Sequence, residues 1–257
     1  MKNRLDSKLV ADGFYLSRAK AVESIKNGMV LVNGKVATKP SVLVGDTDTI
    51  CASPQKYVSR AAKKLEHALK VFDLSVDSKT AIDVGASTGG FSQVLLENGA
   101  KKIYAVDVGT NQLSPIVSDD LRVVSLEQTN FLDLDDNIIK SAELIVSDVS
   151  FVSLTKLAPK FGKASCPIMV LIKPQFECGK TYAHKHKGIV KDTAVQEECI
   201  LNVVNAFAQN NYALVALDVS PIFGGDGNKE FVALFKKNFK TCPIDIKKIV
   251  EKRPTLE

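Results

Sequence analysis

From residue 80 onward, the sequence alternates short apolar runs with segments of helical periodicity. Helical patterns such as those at 90–98 and 193–209 separate apolar runs at 80–84, 102–107, 121–125, 143–148, 167–172, 212–219 and 230–236. Parallel strands need a crossover connection, usually a helix. The alternation therefore predicts a doubly wound α/β domain with a mostly parallel sheet of seven strands. The short connection before the last run predicts that the last strand is antiparallel.

Residues 4–50 have a different pattern, which predicts a small α+β unit of two short helices and a hairpin. The apolar residues of the two helices are spaced to face one side, and they are Leu5, Leu9, Val10, Ala19, Val22 and Ile25. Ser17 is a candidate N-cap for the second helix, and Gly28 is a candidate stop. Asn33-Gly34 lies between apolar segments and favours a tight turn, because both residues tolerate positive φ.

These patterns predict a small domain at 1–50, a linker at 51–58 and a larger domain at 59–257. An amphipathic helix is predicted from Tyr57 to Leu69, with Ser59 as its cap. The length of 257 residues and the 45% hydrophobic content are sufficient for a sizeable core, which argues against disorder.

The net charge of +5 comes from the N-terminal part of the chain. Residues 1–70 contain 13 Lys and Arg against 6 Asp and Glu, whereas the remainder is nearly balanced. A local cationic excess is typical of polyanion binding, since it displaces the counterions around phosphates. A solvated basic surface has the same composition, and charge alone does not separate the two.

Cysteine usage and hydropathy indicate a cytoplasmic protein. No C-x-x-C pair or regular framework relates the five cysteines, which indicates reduced thiols; they are Cys51, Cys166, Cys178, Cys199 and Cys242. The first residues lack the apolar segment of a signal peptide. The most apolar run, Ile168 to Ile172, is too short to span a membrane, so no stable membrane insertion is expected. No feature indicates a protein partner.

Several N-terminal motifs together resemble an S4 RNA-binding domain. They are R-L-D at 4–6, S-R-A-K-A at 17–21, I-K-N-G-M-V-L-V-N-G at 25–34 and D-T-I at 48–50. The resemblance implies that a basic helix face grips folded RNA through phosphate contacts, which position the RNA without reading its sequence. The candidate RNA-binding residues are Arg4, Arg18, Lys20 and Lys26, with Arg60 in the next segment.

Residues 81–91 form an apolar strand that ends in a glycine-rich turn and opens a helix. The spacing is G-x-x-x-G-G rather than G-x-G-x-x-G, which disfavours NAD. The turn resembles motif I of Rossmann-like methyltransferases, which implies S-adenosylmethionine as cofactor. Asp107 ends the next strand, where a carboxylate can accept hydrogen bonds from both ribose hydroxyls. Asp83 is expected either to fix the turn or to meet the amino group of the cofactor. The candidate cofactor-binding residues are Asp83, Gly85, Ala86, Ser87, Gly89, Gly90, Phe91 and Asp107.

Four charged residues are expected to converge at one edge of the sheet. Asp148 and Lys173 end predicted strands, Glu230 begins the last one, and Lys64 approaches from the preceding helix. An ammonium can stabilise a developing alkoxide and a neutral lysine can accept a proton. Carboxylates raise a lysine pKa and a second lysine lowers it, so which lysine is neutral stays open. Lys173 is favoured as base or hydroxyl activator, with Lys64 orienting the substrate.

The same residues carry a second resemblance, which covers essentially the whole chain. Together with S-R-A-A-K-K-L at 59–65, D-V-G-A-S-T-G-G-F at 83–91, D-V-S-F-V-S-L at 148–154 and K-P-Q-F-E at 173–177, they resemble the TlyA family. That family has an FtsJ-like catalytic domain. The resemblance implies Lys-Asp-Lys-Glu catalysis and methyl transfer to the 2′-hydroxyl of a ribosomal cytidine. The early R-L-D motif resembles the shorter form of the family, which implies large-subunit RNA. A shift of one residue would exchange Lys64 for Lys63.

Other motifs carry less information. Gly179-Lys180-Thr181 lacks the upstream glycine of a P-loop, and His184-x-His186 lies in a basic loop without another metal ligand, so no metal is expected. That loop, 180–191, is interpreted either as a substrate flap or as an uninvolved surface loop. Residues 224–227 are interpreted as a close approach before Glu230 or as a simple turn.

Three rival functions remain at this point. The first is an S4-containing RNA-modifying enzyme of another class, such as a pseudouridine synthase. The second is a noncatalytic RNA-binding or ribosome-assembly factor. The third is a haemolysin-like membrane-active protein.

Overall fold

The computed structural model describes residues 2–15, 17–26, 28–52, 56–240 and 243–256. The chain divides into two compact units, Met1–Lys56 and Tyr57–Glu257. Within the predicted linker, Cys51 and Ala52 continue a strand of the first unit, whereas Tyr57 is buried in the second. Residues 53–55 and Cys242 lie outside the described residues.

The described residues of the first unit form two helices and two small antiparallel sheets. The helices are α1 (Leu5–Ala11) and α2 (Arg18–Lys26). Pairing in the sheets follows the orders β1-β4 and β3-β2-β5, and the strands are β1 (Asn3–Arg4), β2 (Val30–Val32), β3 (Lys35–Val36), β4 (Leu43–Val44) and β5 (Ile50–Ala52). Asn33 and Gly34 have φ values of 53° and 76°, as expected for the tight turn between β2 and β3.

The core of the first unit lies between its helices and its sheets. Leu5 and Leu9 of α1 pack with Ile25 of α2, and all three are fully buried. The prediction that Ala19 belongs to this face is wrong, because Ala19 is exposed and Ala21 is buried instead. Ala21 is one helical turn before Ile25, and this i, i+4 spacing defines the buried stripe.

The second unit contains a sheet of seven strands in the order β11-β12-β10-β9-β6-β7-β8. These strands are β6 (Thr80–Val84), β7 (Lys102–Val106), β8 (Val123–Leu126), β9 (Leu144–Ser147), β10 (Ile168–Ile172), β11 (Tyr212–Val219) and β12 (Phe231–Lys237). Only β12 runs antiparallel to its neighbours, β10 and β11, while the other pairs are parallel. The predicted fold, with its antiparallel last strand, is confirmed.

Helices cover both faces of this sheet. They are α3 (Ala62–Val71), α4 (Gly90–Glu97), α5 (Pro115–Ser118), α6 (Asp136–Ser141), α7 (Leu154–Phe161), α8 (Pro174–Glu177), α9 (Lys180–Lys185), α10 (Thr193–Ala208) and α11 (Ile246–Glu251), with a 3₁₀ turn at Phe131–Asp133. Alternate residues of β10 enter two different apolar clusters: Ile168 and Val170 on one face, Met169 and Leu171 on the other. A strand buried on both faces has to be apolar throughout, which explains the continuous apolar runs.

Two local predictions need correction. The helix predicted from Tyr57 begins at Ala62, and Ser59 does not cap it; Ser59 Oγ accepts a hydrogen bond from the Ala61 N–H at 3.1 Å. Ser59 lies so close to Gly90 that a Cβ there would be 2.5 Å from Ser59 Oγ. The predicted loop 180–191 begins with helix α9. Among the described residues, no helix has the length and apolar character needed to cross a membrane.

Candidate active site

Two adjacent cavities open at the carboxyl edge of the parallel strands, where ligand sites of open α/β sheets occur. The larger has a volume of about 500 Å³ and is lined by the ends of β6, β7 and β9 with the segments that follow them. The smaller has a volume of about 260 Å³ and lies between the start of α3 and the end of β10. Four residues line both cavities, and they are Gly85, Ser87, Asp148 and Ser150.

The four charged residues predicted from the strand ends lie in contact. Asp148 connects the two lysines: its Oδ1 is 2.7 Å from Lys173 Nζ, and its Oδ2 is 3.6 Å from Lys64 Nζ. Lys64 Nζ also donates to Glu230 Oε2 at 2.6 Å. Lys64 and Lys173 are each 6% exposed and Glu230 is 2% exposed. The result is a largely buried chain of two lysines and two carboxylates, which we call the charged quartet.

Lys64, rather than its neighbour Lys63, is the helix residue in the quartet. Burial opposes its charged form and is the largest single influence on its pKa. The carboxylates of Asp148 and Glu230 together outweigh burial, so the pKa of Lys64 is raised above its ordinary value. Lys64 therefore carries a positive charge at neutral pH.

Glu230 is held by the glycine-rich turn that precedes β12. A Cβ on Gly224 would collide with Glu230 Oε1, so a side chain at this position would displace the Glu230 carboxylate. At Gly225, by contrast, the nearest atom to an added Cβ is Arg60 Nη2 at 3.5 Å, an ordinary contact. Residues 224–227 therefore provide a close approach to Glu230, as the sequence suggested.

The glycine-rich turn after β6 shapes both cavities. Gly85 has φ 82°, and a Cβ there would be 3.2 Å from the backbone of Val149. Of the predicted cofactor-binding residues, Gly85, Ser87 and Asp107 line the larger cavity. The smaller cavity is lined by Gly85, Ala86, Ser87, Gly90 and Phe91. Gly89, with φ 89°, precedes α4 as its N-cap and lines neither cavity.

Asp83 lies beneath this turn and lines neither cavity. Its side chain is fully buried, and its Oδ2 accepts a hydrogen bond from Ser92 Oγ at 2.7 Å. Its Oδ1 has no hydrogen-bond partner within the part of the chain that the structure describes. Burial raises the pKa of Asp83 to about 7. Of the two roles expected for Asp83, this position favours fixing the turn.

The larger cavity fits S-adenosylmethionine in size and in chemistry. Its volume falls within the range of about 300–1,000 Å³ that is usual for small-molecule sites. The carboxylate of Asp107 stands at its rim, oriented by the N–H groups of Ser87 at 2.8 Å and Gly109 at 2.7 Å. Phe131 and Val149 add apolar walls suited to a nucleobase.

Two parts of the site were missed from the sequence. Thr129 and Asn130, which follow β8, line the larger cavity. Their position just after a parallel strand could have identified them as candidate site residues. Ser150 lies in a recognised motif but was not singled out, although Lys173 Nζ donates to its Oγ at 2.8 Å.

Phe151 is the second unexpected feature of the loop after β9. Its side chain is 92% exposed at the wall of the larger cavity. Its backbone has φ 65°, an outlier for a bulky residue. The ring lies 5.2 Å, centroid to centroid, from that of Phe176. Glu177 fixes the same segment, because its carboxylate accepts hydrogen bonds from Ser153 Oγ at 2.5 Å and from the Leu154 N–H at 2.8 Å.

The candidate RNA-binding residues differ in their surroundings. Arg4 and Arg18 both donate to Asp6 Oδ2 at 2.9 Å, and this carboxylate is buried while both guanidiniums are about half exposed. Both arginines lower the pKa of Asp6, with the hydrogen bond from Arg4 as the largest influence. Lys26 is exposed and Lys20 half-buried. In the second unit, Arg60 lines the smaller cavity.

Metal ligands form no cluster in the part of the chain that the structure describes: no group of three or more His, Cys, Asp or Glu side chains is arranged to hold an ion. His184 and His186 of the basic segment are both exposed.

Comparison with known proteins identifies the family. The family model for FtsJ-like methyltransferases matches residues 57–237, and that for the S4 domain matches residues 4–50. Hemolysin A of Brachyspira hyodysenteriae is 42% identical over 238 residues, which cover 90% of this chain and 99% of that protein. The 16S/23S rRNA (cytidine-2'-O)-methyltransferase TlyA of Mycobacterium tuberculosis is 39% identical over 235 residues, covering 89% and 87%. This chain belongs to the TlyA/hemolysin A family.

Two further members extend the comparison. The 23S rRNA (cytidine-2'-O)-methyltransferase TlyA of Campylobacter jejuni is 34% identical over 243 residues, covering 87% of this chain and 95% of that protein. The solved structure of a putative hemolysin from Streptococcus thermophilus has 37% identity and a TM-score of 0.75, covering 97% and 94%. Membership of the TlyA family, with its FtsJ-like domain, makes this chain a methyltransferase of the rRNA-modifying class.

Proposed function

We propose that this chain transfers a methyl group from S-adenosylmethionine to the ribose 2′-hydroxyl of a cytidine in ribosomal RNA, with large-subunit RNA as the preferred substrate. The observation that carries the proposal is the meeting of two cavities at Asp148 and Ser150, beside the buried charged quartet. The names of the Mycobacterium and Campylobacter relatives support cytidine, and both names include 23S rRNA.

The larger cavity is the proposed cofactor site. Asp107 would accept hydrogen bonds from the ribose hydroxyls, while the turn at Gly85 and Ser87 would line the methionine end. Asp83 would support that turn from below. When bound, S-adenosylmethionine supplies an electrophilic methyl group on a positively charged sulfur.

The smaller cavity is the proposed acceptor site, lined by Lys64, Asp148 and Lys173. A ribose hydroxyl is a poor nucleophile until its proton is drawn away. Because its pKa is raised, Lys64 stays charged and cannot accept that proton. We assign the role of base or hydroxyl activator to Lys173, because its Nζ contacts Ser150 Oγ where the two cavities meet. Acting as a base, it would take the hydroxyl proton at Nζ. The Lys64 ammonium stabilises the negative charge that develops on the oxygen.

The N-terminal unit is the proposed anchor for RNA. Two half-exposed guanidiniums fixed by one carboxylate leave a net positive charge with donors in a rigid arrangement, which suits phosphate oxygens. Such contacts strengthen binding without selecting a base. A protein that modifies ribosomal RNA in this way works where ribosomes are assembled, so the proposed location is the cytoplasm.

Radiolabelled methyl transfer tests the proposal. Purified protein is offered naked ribosomal RNA, each ribosomal subunit and intact ribosomes, and the labelled nucleotide is mapped. We expect label on a cytidine 2′-oxygen of large-subunit RNA. Lys173→Ala should lose at least about 100-fold in rate, whereas Lys140→Ala, an exposed lysine on α6, should match wild type.

Two results would contradict the proposal. If the protein binds S-adenosylmethionine and RNA but labels no RNA in any form, a noncatalytic RNA-binding or assembly role replaces it. If Lys173→Ala labels the same atom at the wild-type rate, the assignment of the base is wrong.

A further inference from the structure

The strongest additional feature lies at the tip of Lys173. Three oxygen atoms surround its Nζ: Asp148 Oδ1 at 2.7 Å, Ser150 Oγ at 2.8 Å and the Asp148 backbone oxygen at 3.3 Å. A lysine ammonium has three N–H donors and no acceptor. Nζ donates hydrogen bonds to Ser150 Oγ and to the Asp148 backbone oxygen, whereas Asp148 Oδ1 contacts it as an ion pair. A substrate hydroxyl that approaches Nζ therefore competes with these oxygen atoms.

The three oxygen atoms differ in what they can do when Lys173 is neutral. A carboxylate and a backbone carbonyl only accept hydrogen bonds, whereas a hydroxyl both donates and accepts. A neutral lysine amine has a lone pair as well as N–H groups, so it can accept a hydrogen bond where the ammonium donates one. The Ser150 hydroxyl can rotate and donate to that lone pair, so this contact survives in both states of the lysine.

The contact between Lys173 and Ser150 points toward the junction of the two cavities. Ser150 is exposed and lines both cavities, so the line from Lys173 Nζ to Ser150 Oγ ends where the cavities meet. A substrate hydroxyl has the same hydrogen-bonding capacity as a serine hydroxyl. It can therefore replace Ser150 at Lys173 without leaving the lysine unpaired.

We propose that Ser150 is a positioning residue, whose hydroxyl holds Lys173 Nζ toward the junction of the two cavities and gives up that place to the acceptor hydroxyl. The identity of the acceptor rests on the proposed function. The contact between Ser150 and Lys173 does not, which allows the two to be tested separately.

Steady-state kinetics with Ser150→Ala form the first part of the test. Because the lost hydrogen bond involves a charged group, we expect kcat for methyl transfer to fall about 10- to 100-fold. We expect KM for S-adenosylmethionine and for RNA to stay within about twofold, because the substitution removes only one hydroxyl from the cavity walls. Ser150→Thr, which keeps the hydroxyl, should recover most of the rate.

Ser147→Ala is the matched control. Ser147 is buried one residue before Asp148, lines neither cavity, and its hydroxyl has no hydrogen-bond partner within the described part of the chain. The same substitution there should leave kcat unchanged. Thermal melting and cofactor binding confirm that each variant is folded.

Nuclear magnetic resonance of the lysine side chains gives a second readout, without cofactor or RNA. Removing the hydroxyl should speed exchange of the Lys173 ammonium protons with water in Ser150→Ala, and Ser150→Thr should restore slow exchange. If wild type labels no RNA, the proposed function fails, and this measurement still tests Ser150. Unchanged kcat and exchange in Ser150→Ala, or a folded Ser150→Thr as slow as Ser150→Ala, would overturn the role of Ser150.

Discussion

Each unit contains two basic side chains that share one carboxylate, but the two clusters differ in the ratio of basic to acidic groups and in burial. In the first unit, Asp6 is buried between the half-exposed arginines Arg4 and Arg18, which leaves an excess of one positive charge. In the second, the charged quartet is largely buried and pairs two lysines with two carboxylates, with Asp148 between Lys64 and Lys173. The same type of ion pair therefore suits the two proposed tasks: an exposed excess of positive charge is suited to binding a polyanion, whereas a buried network of lysines and carboxylates is suited to moving a single proton.

Equivalent substitutions of the shared carboxylates give the largest expected contrast. Asp148→Asn removes the charge that lies between the two lysines of the quartet, so we expect kcat to fall about 10³-fold. Asp6→Asn removes the charge between two exposed arginines and should leave kcat unchanged. Methyl-transfer kinetics on folded variants measure both. A loss of kcat in Asp6→Asn as large as in Asp148→Asn would break the comparison.

A second pair of substitutions tests how tightly the buried cluster is held. Gly224→Ala would place a Cβ against Glu230 Oε1 and move the partner of Lys64, so we expect kcat to fall about 10- to 100-fold. Gly225→Ala is the matched control, because its Cβ has room beside Arg60. Equal activity of the two variants would show that the position of Glu230 does not limit the rate.

The exposed cluster is tested by its response to salt. Each phosphate contact that is lost should reduce the slope of log affinity against log salt by about 0.7 to 0.9. We expect Arg4→Ala with Arg18→Ala to weaken RNA binding roughly tenfold at low salt and to flatten this slope, with kcat unchanged. Binding titrations at several salt concentrations measure it. A slope equal to that of wild type would place the phosphate contacts elsewhere.

The smallest expected effect is on stability, and it concerns the buried carboxyl group of Asp83. Burial raises the pKa of Asp83 to about 7 from 3.8, so the folded protein binds its proton more tightly than the unfolded chain does. Stability contributed by this proton is therefore lost as the pH rises from about 4 to about 7. Asp83→Asn removes that loss, so its melting temperature should gain on wild type by several degrees across this range. Thermal melting from pH 4 to pH 8 measures it, and a constant difference would contradict the assignment.

The fold was largely predictable because its strands and helices produce regular patterns of apolar residues in the sequence. Strands covered on both faces must be apolar throughout, as in β10, and parallel strands direct their carboxyl ends to one edge. For that reason, residues as distant as Lys64 and Glu230 could be expected in one site. The start of α3 was predicted too early: Ser59 lies beside Gly90 of another chain segment, and the helix begins at Ala62.

The side-chain contacts of the loop after β9 could not be predicted from sequence periodicity. Ser150, Phe151 and Ser153 are arranged by contacts with Lys173, Phe176 and Glu177, about 25 residues further on. The conformation of an irregular segment depends on such contacts. The motifs identified both segments as important, but the sequence did not indicate which side chains would meet.

Phe151 places a limit on how this protein can be improved by engineering. A bulky residue at φ 65° with its ring in water lowers stability by roughly 1–3 kcal/mol relative to a relaxed residue. A library screened for heat resistance alone would therefore be expected to collect Gly or Asn at position 151, and to lose the aromatic wall of the larger cavity. Selection for thermal tolerance would therefore act at this one codon against retention of the cavity wall.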